Sequence, residues 1–523
     1  LTVGGLNQQG RENSMNKSDY PVESAGGDSA LTRMATGIEG LDDILQGGFP
    51  ANRVYLVEGE PGTGKTTLAL QFLLEGLRLG ESGLYVTLSE TKEELEASAR
   101  SHGLSLDGIN IHELVPAGDT LKPESQYTIF HPSEIELSET TSAVLEEVER
   151  IKPQRVVFDS LSEMRLLAHD PLRYRRQILA LKQYFIGRQC TVMLLDDKTS
   201  AAHDLQLQSI VHGVLSLEQM ALEYGAERRR LRVIKLRGSR FRGGYHDFNI
   251  ETGGVVVFPR LVAAEHRHDF AKGNATSDVP ELDSLLGGGL ARGSSTLIIG
   301  PAGSGKSTLG AQFVAAAATR GEKSAVFIFD EIIETYIARA AGIGTNIQNH
   351  LDDNLITLKQ VDPAELAPGE FADRVLRAVD REGVRVVVID SLNGYLNAMP
   401  EERFLTIQMH ELLTFLNQRG VVTLLVMAQH GFLGTMETPV DVSYLADTVL
   451  MLRYFEAEGA VRRAVSVIKK RAGAHENTIR ELEITSKGIR VGEPLTRFHG
   501  VLTGVPIYGG MKRTLIEESV ENG

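Results

Sequence analysis

Residues 59–67 read GEPGTGKTT, and residues 300–308 read GPAGSGKST. Each follows a short apolar run, VYLVEG at 54–59 and STLIIG at 295–300, and each leads into a segment with apolar residues at helical spacing. Strand, glycine-rich turn and helix in that order make a cradle for phosphate. The glycines let backbone N–H groups turn inward, and the helix start presents its positive end. Gly59, Gly64, Lys65 and Thr66 fit G-x-x-x-x-G-K-[ST], as do Gly300, Gly305, Lys306 and Ser307. In that pattern the lysines neutralise β- and γ-phosphate oxygens, while the hydroxyls of Thr66 and Ser307 hold Mg2+. ATP and Mg2+ are the expected cofactors.

The loops belong to a longer repetition. TGIEGLDDILQGGFP at 36–50 answers TSDVPELDSLLGGGL at 276–290. RVVFDS at 155–160 answers RVVVIDS at 385–391, and RVIKLRGS at 232–239 answers SVIKKRAG at 466–473. The same segments recur in the same order, so one unit of about 235 residues is duplicated. Within each unit β-rich runs alternate with helical patterns, which predicts a mostly parallel sheet covered by helices on both faces. The fold class expected is α/β, with two tandem P-loop domains, each a doubly wound sheet. Residues 1–30 are polar and read as a disordered lead-in; the units are placed at 31–260 and 261–500, with a tail at 501–523. The shift from apolar to polar sequence marks 259–278 as the linker.

The chain has 523 residues, enough for two cores, and a formal charge of −15, which repels a phosphate backbone on average and argues against a machine acting on DNA. The single cysteine, Cys190, lies in the apolar run CTVMLL and reads as a buried core thiol. No run of about 18 apolar residues is present to span a membrane, and a cytoplasmic location is expected.

Three further sets of residues carry chemistry. Asp159 and Asp390 each end an apolar strand, at the sheet edge where a carboxylate meets Mg2+-bound water. Acids able to orient a nucleophile belong at the end of the strand after the first helix. There the chain reads VTLSET and FIFDEI, giving Glu90 in one half and Asp330 with Glu331 in the other. Solvated loop carboxylates are the alternative at that position. Finally, Lys235 with Arg237 and Lys469 with Arg471 are alternate residues of a β-rich run and so share a face. On an edge hairpin such a pair reaches a neighbouring subunit's γ-phosphate, or simply guards an exposed edge.

With VTLSETKEELEASARSHGL at 86–104, VIKLRGS at 233–239 and ADTVLMLRY at 446–454, the chain resembles the KaiC family of tandem RecA-like ATPases and autokinases, from about Thr36 to about Gly500. The resemblance implies a homohexamer of two stacked rings with nucleotide between subunits, one ring chiefly an ATPase and the other a slow Ser/Thr autokinase. It implies that ATP contacts Gly62, Thr63, Gly64, Lys65, Thr66 and Thr67 with Lys235, Leu236, Arg237 and Ser239 in the first half. In the second half the set is Gly303, Ser304, Gly305, Lys306, Ser307 and Thr308 with Arg463, Lys469, Lys470 and Arg471. KaiB-like or histidine-kinase signalling partners are the kind it suggests.

The departures are equally specific. The family carries paired glutamates after the relevant strand; here the first of each pair is Ser89 or Asp330, while Glu90 and Glu331 keep the second position. Serine cannot act as a general base near neutral pH. Where the family has adjacent Ser-Thr acceptors, the run TPVDVSYLADT at 438–448 has Ser443 and Tyr444, with Thr438 upstream. Tyr444 reads as a packed aromatic, which leaves Ser443 as the expected acceptor. Ser89 and Tyr444 both favour an alternative: a nucleotide-gated interaction platform with weak turnover.

Overall fold

The computed structural model describes residues 32–114, 132–168, 170–198, 205–222, 224–397, 405–429, 444–502 and 507–508. The expected lead-in at 1–30, the acceptor candidates Thr438 and Ser443, and most of the 501–523 tail lie outside them.

In the first unit β1 (Val54–Gly59), α1 (Lys65–Arg78), β2 (Gly83–Thr87), α2 (Lys92–Ser101), β3 (Asn110–Glu113), α3 (Pro132–Ile151), β4 (Arg155–Asp159), α4 (Leu161–Ala168), α5 (Pro171–Ile186), β5 (Thr191–Asp197), α6 (Leu205–Ile210) and β6 (Gly213–Met220) follow one another. A meander of β7 (Arg228–Leu236), β8 (His246–Glu251) and β9 (Gly254–Phe258) ends it. The second unit repeats the plan. Its elements include β10 (Ser295–Gly300), α7 (Lys306–Thr319), β11 (Ser324–Ile328), α8 (Ile333–Gly342), β12 (Ile356–Gln360), α9 (Pro368–Asp380), β13 (Val386–Asp390), α10 (Leu405–Gln418) and β14 (Val422–Ala428). Then come β15 (Thr448–Ala457), β16 (Ala460–Lys470), β17 (Ile479–Thr485) and β18 (Gly488–Pro494).

Each unit is built on a 9-stranded sheet, in the orders β9-β8-β7-β6-β1-β5-β4-β2-β3 and β18-β17-β16-β15-β10-β14-β13-β11-β12. The two orders are the same order. The strands from β6 to β3 and from β15 to β12 are parallel, and the meanders are antiparallel. Alternate residues of the central strands feed opposite cores. Tyr55 and Val57 pack with Leu68 and Phe72 of α1, whereas Val54 and Leu56 join Ile178 and Phe185 of α5. Ile298 likewise joins Leu309 and Phe313 of α7, and Leu297 and Ile299 join Phe371 of α9 and Phe415 of α10. Such two-faced burial explains why these strands are continuous apolar runs. Cys190 is buried, its thiol pushed up to about 12 by desolvation.

The units touch where β8 meets the start of α9. The Gly369 N–H donates to Asp247 Oδ2 at 2.7 Å, and the Asn249 side-chain amide donates to Glu370 Oε2 at 2.6 Å. A carboxylate at a helix N-terminus is favourably placed for the helix dipole. In one respect the expected layout changes. The run carrying Lys235 is not an edge hairpin, because β8 and β9 extend the sheet beyond β7. The β7–β8 pairing covers only Arg229 to Leu231, so the later residues of β7 keep one side free of that partner.

His246, on β8, is 1% exposed, with Nε2 bonded to the Arg242 carbonyl at 3.0 Å and Nδ1 accepting from the Arg260 N–H at 2.8 Å. A proton on Nδ1 would face that N–H, and burial holds the ring from its ordinary 6.5 down to about 4. The unfolded chain therefore takes up a proton as pH falls through 6.5, which the folded chain refuses until about pH 4. The contribution of His246 is complete above pH 6.5 and falls by about 2 kcal/mol on going to pH 5. His212, half-buried and also lowered to about 4, acts in the same direction. Denaturant unfolding of the His246→Asn chain should show a flatter fall of first-unit stability between pH 7 and 5; an unchanged slope would exclude His246 as its source.

Candidate nucleotide sites

Both glycine loops leave the carboxyl end of a central strand, with its parallel neighbours on either side. Gly64 caps α1 with φ +91°, and a Cβ there would come 2.7 Å from Ile250 Cδ1. Gly305 caps α7 with φ +103°, and its Cβ would meet Ile484 Cδ1 at 2.3 Å. Backbone conformation and crowding together demand glycine at both positions.

In the first loop the buried Lys65 Nζ donates to the carbonyls of Gly59 and Glu60, each at 2.9 Å, and pairs with Asp197 Oδ1 at 2.8 Å. Thr66 Oγ1 donates to Asp159 Oδ2 at 2.9 Å, and the Tyr85 phenol donates to the same oxygen. Burial raises the Asp159 carboxyl above its usual range, against the pull of these donors and Lys65. Thr63 Oγ1 donates to the Glu60 carbonyl at 2.8 Å, Thr67 is buried, and Gly62 turns the loop at φ +82°.

The second loop repeats this frame with one difference. Ser307 Oγ donates to Asp390 Oδ1 at 3.1 Å, and Lys306 Nζ donates to the Pro301 carbonyl at 2.8 Å. Among the described residues no carboxylate comes within ion-pair distance of Lys306, and desolvation lowers its amine to about 8. Asp390 Oδ2 is buried without a hydrogen-bond partner, 3.9 Å from Arg339 Nη2, and burial lifts the carboxyl to about 6. Ser304 Oγ is likewise buried and unpartnered, Gly303 has φ +73°, and Thr308 is buried. An unpaired carboxylate oxygen beside a serine hydroxyl at a helix start is a donor set suited to a hard cation.

The strand-end acids sit as follows. The Glu90 N–H donates to Thr87 Oγ1 at 3.0 Å, just before Thr91 begins α2 with a capping box. Burial and the nearby Asp159 charge raise the Glu90 carboxyl. Asp330 accepts from the Ser391 hydroxyl, and Glu331 is held by Arg339 through both oxygens, at 2.7 and 3.0 Å.

The basic residues divide into two groups. Lys235 Nζ donates to the Gln208 carbonyl and Arg237 Nη2 to the Ser209 carbonyl at 2.8 Å. Lys469 Nζ donates to the Ala446 carbonyl and Arg471 Nη2 to the Tyr444 carbonyl, both at 2.8 Å. Each pair therefore shares a face, while Lys470 turns to the carbonyls of Leu286 and Gly289. By register Lys235 lies opposite Val214, and Val214 opposite Leu56, so the chain at Arg237 runs toward the start of β1, away from the loop leaving Gly59. Lys469, opposite Val449 and level with Leu297, repeats this. Arg463 instead pairs across from Tyr454, whose hydroxyl donates to the Ala302 carbonyl at 3.2 Å, so it stands near its own loop. Leu236 is buried in the first core, and Ser239 Oγ donates to the Arg240 carbonyl at 3.0 Å. Tyr444, expected to be packed, is 54% exposed.

Two matched stretches decide the family: the model described as "ATPase: KaiC" matches residues 34–262 and again 275–496. The chain belongs to the KaiC family of ATPases. Circadian clock protein KaiC3 of Synechocystis is 26% identical over 501 residues, covering 91% of this chain and 95% of that protein. The circadian clock oscillator protein KaiC of Synechococcus elongatus is 26% identical over 483 residues, 91% and 92% of the two chains. That of Prochlorococcus marinus is 27% identical over 493 residues, 92% and 97%. The two sheets are thus tandem RecA-like domains, and among the described residues no helix is long and apolar enough to cross a membrane.

Asp197, Tyr85 and Arg339 were not singled out by sequence. The visible signal for the first was the Asp-Asp pair closing the apolar run TVMLLDD. Gly64→Ala and Gly305→Ala, made separately, should each abolish one nucleotide-binding event while leaving the other. Calorimetric titration with ADP reads this directly, and retention of both events in either variant would refute the steric argument.

Proposed function

We propose that the chain is an ATPase and Ser/Thr autokinase working as a homohexameric double ring in the cytoplasm, with ATP and Mg2+ at both loops. In this reading residues 31–260 form the ATPase and assembly unit, and 261–500 the autokinase. Lys65 and Lys306 neutralise the phosphates, and the pairs Thr66–Asp159 and Ser307–Asp390 hold the cation. Mg2+, when bound, offsets charge that develops on the phosphate oxygens.

One observation carries the proposal. Lys235 with Arg237, and Lys469 with Arg471, stand toward the opposite end of the central strand from their own loop. Using them on a phosphate requires a second copy of the chain. Arg463, near its own loop, serves in cis, and Glu90, Asp330 and Glu331 supply the acids beside the nucleophile. With Glu331 held by Arg339, Asp330 is the second site's freer acid. For phosphorylation the Ser443 hydroxyl oxygen bonds the γ-phosphorus, the bond from that phosphorus to ADP breaks, and the proton passes to Asp330.

Peptide mass spectrometry over 432–453, before and after incubation with Mg·ATP, tests this. Phosphate on Ser443, lost in Lys306→Ala, is the expected result; phosphate on Tyr444 or Thr438 would move the acceptor. Absence of phosphate from an intact ATP-bound hexamer would support the nucleotide-gated platform, which the serine at position 89 and the exposed Tyr444 favour. KaiB-like or histidine-kinase partners are the class for that platform to engage.

Lys65→Ala and Lys306→Ala should each halve the number of nucleotides bound per chain. Equilibrium dialysis with labelled ATP measures this, and an undiminished count would dissociate the lysines from binding.

A further inference from the structure

The two sites are copies of one plan, but their acids are distributed differently. Thr87 lies level with Asp159 and Ile328 level with Asp390, which makes Ser89 the counterpart of Asp330. One strand-end position in the first site has therefore lost its carboxylate. On the strand directly beside the loop strand the difference is reversed. Glu58 pairs with Asp196 and Gly59 with Asp197, whereas Ile299 pairs with Met427 and Gly300 with Ala428.

Of the three acids special to the first site, two are committed elsewhere. Glu58 accepts from the Gln208 amide at 2.9 and 3.0 Å. Asp196 is buried and bound to Arg165 and Ser162. Asp197 alone engages the phosphate cradle, its Oδ1 paired with Lys65 at 2.8 Å while Oδ2 accepts a longer bond from Ser162 Oγ at 3.4 Å, and its side chain is 28% exposed. The lysine that engages phosphate must turn toward the nucleotide when it binds, which releases Asp197 at the edge of the same cradle. A freed carboxylate one strand from the loop can face the γ-phosphate's attacking water but has no favourable contact with the phosphate itself.

We propose that Asp197 is the catalytic carboxylate that orients and deprotonates the attacking water in the first site, the part for which Asp330 is placed in the second. The proposal rests on reading the first loop as a site of ATP hydrolysis. The water oxygen forms a bond to the γ-phosphorus, and the bond from that phosphorus to the β,γ-bridging oxygen breaks. The water's proton passes to Asp197 and then to the departing phosphate, so ATP and water give ADP and phosphate. Glu90 is the competing acid, two strands farther from the loop strand in the order β1-β5-β4-β2.

The test uses the full chain carrying Lys306→Ala, which leaves only the first loop, and reads phosphate release alongside calorimetric binding of Mg·ADP. Asp197→Asn should lower turnover by about a hundredfold, at the lower end of what general-base catalysis supplies, with ADP bound as tightly or more tightly because Lys65 has lost a competitor. Adding Ser89→Glu to Asp197→Asn should restore at least about tenfold, since it returns an acid to the position used in the second copy. Turnover within about threefold of the Lys306→Ala parent would overturn the proposal. So would loss of ADP binding in Asp197→Asn, which would make the residue a structural prop. Loss of turnover in Glu90→Gln but not in Asp197→Asn would assign the water to Glu90 instead. A Lys306→Ala parent that binds no ADP would remove the reading of the first loop, and the inference with it; ADP binding separates that failure from failure of the inference alone.

Discussion

The parallel registration of each loop strand against its two neighbours determines where every other group can stand. Gly59 is level with Asp197 and Leu217, and Gly300 with Ala428. All the parallel strands end on one edge, so the strand-end carboxylates Asp159 and Asp390 meet the helix-start hydroxyls of Thr66 and Ser307 without any special loop. The cost is desolvation. Asp159 and Asp390 are both held above the usual carboxylate range, which means that neither is comfortable as a bare anion. A cation bound there, with a lysine aimed at phosphate, would offset that desolvation.

Much of this was legible in the sequence, and for a definite reason. The glycines at 64 and 305 are required by positive φ and by an isoleucine within 3 Å of where a Cβ would lie, so local sequence and local structure constrain each other. The Asp-Ser strand ends were readable because a strand buried on both faces must be apolar until it reaches the sheet edge. What sequence could not show was set by pairing between distant segments. The Lys65–Asp197 contact depends on β5 lying beside β1, a pairing that the Asp-Asp strand end by itself does not reveal. The misplaced edge at Lys235 had the same origin: the strands that extend the sheet come after the basic run. Aromatic character at 444 points to packing, yet the chain there turns its carbonyl to Arg471 and leaves the ring exposed.

Duplication gives the chain an internal control. The first copy carries Glu58 on its loop strand and Asp196 and Asp197 beside it, and the second puts Ile299, Met427 and Ala428 at the same pairings. Buried charges need partners, and in the first copy Gln208, Arg165 and Lys65 provide them. Among the described residues Lys306 in the second copy has only a carbonyl, and desolvation lowers its amine to about 8. Two lysines in the same loop motif thus wait for phosphate in different states. One is already charge-paired and must exchange partners; the other gains its first strong anion when nucleotide arrives.

That difference bears on how a double ring would divide its labour. A site whose lysine must break an ion pair before binding pays electrostatically on entry, and it holds a carboxylate ready at the point of exchange. A site without that carboxylate keeps its acid farther along the edge, at Asp330, beside Ser391 and with β13 between its strand and β14. Water is the small nucleophile that a carboxylate at the first position can serve. The second copy has the small Ala428 at the pairing where the first has Asp197. In the proposed division of hydrolysis and transfer, the two copies would therefore differ in which neighbouring strand carries the acid.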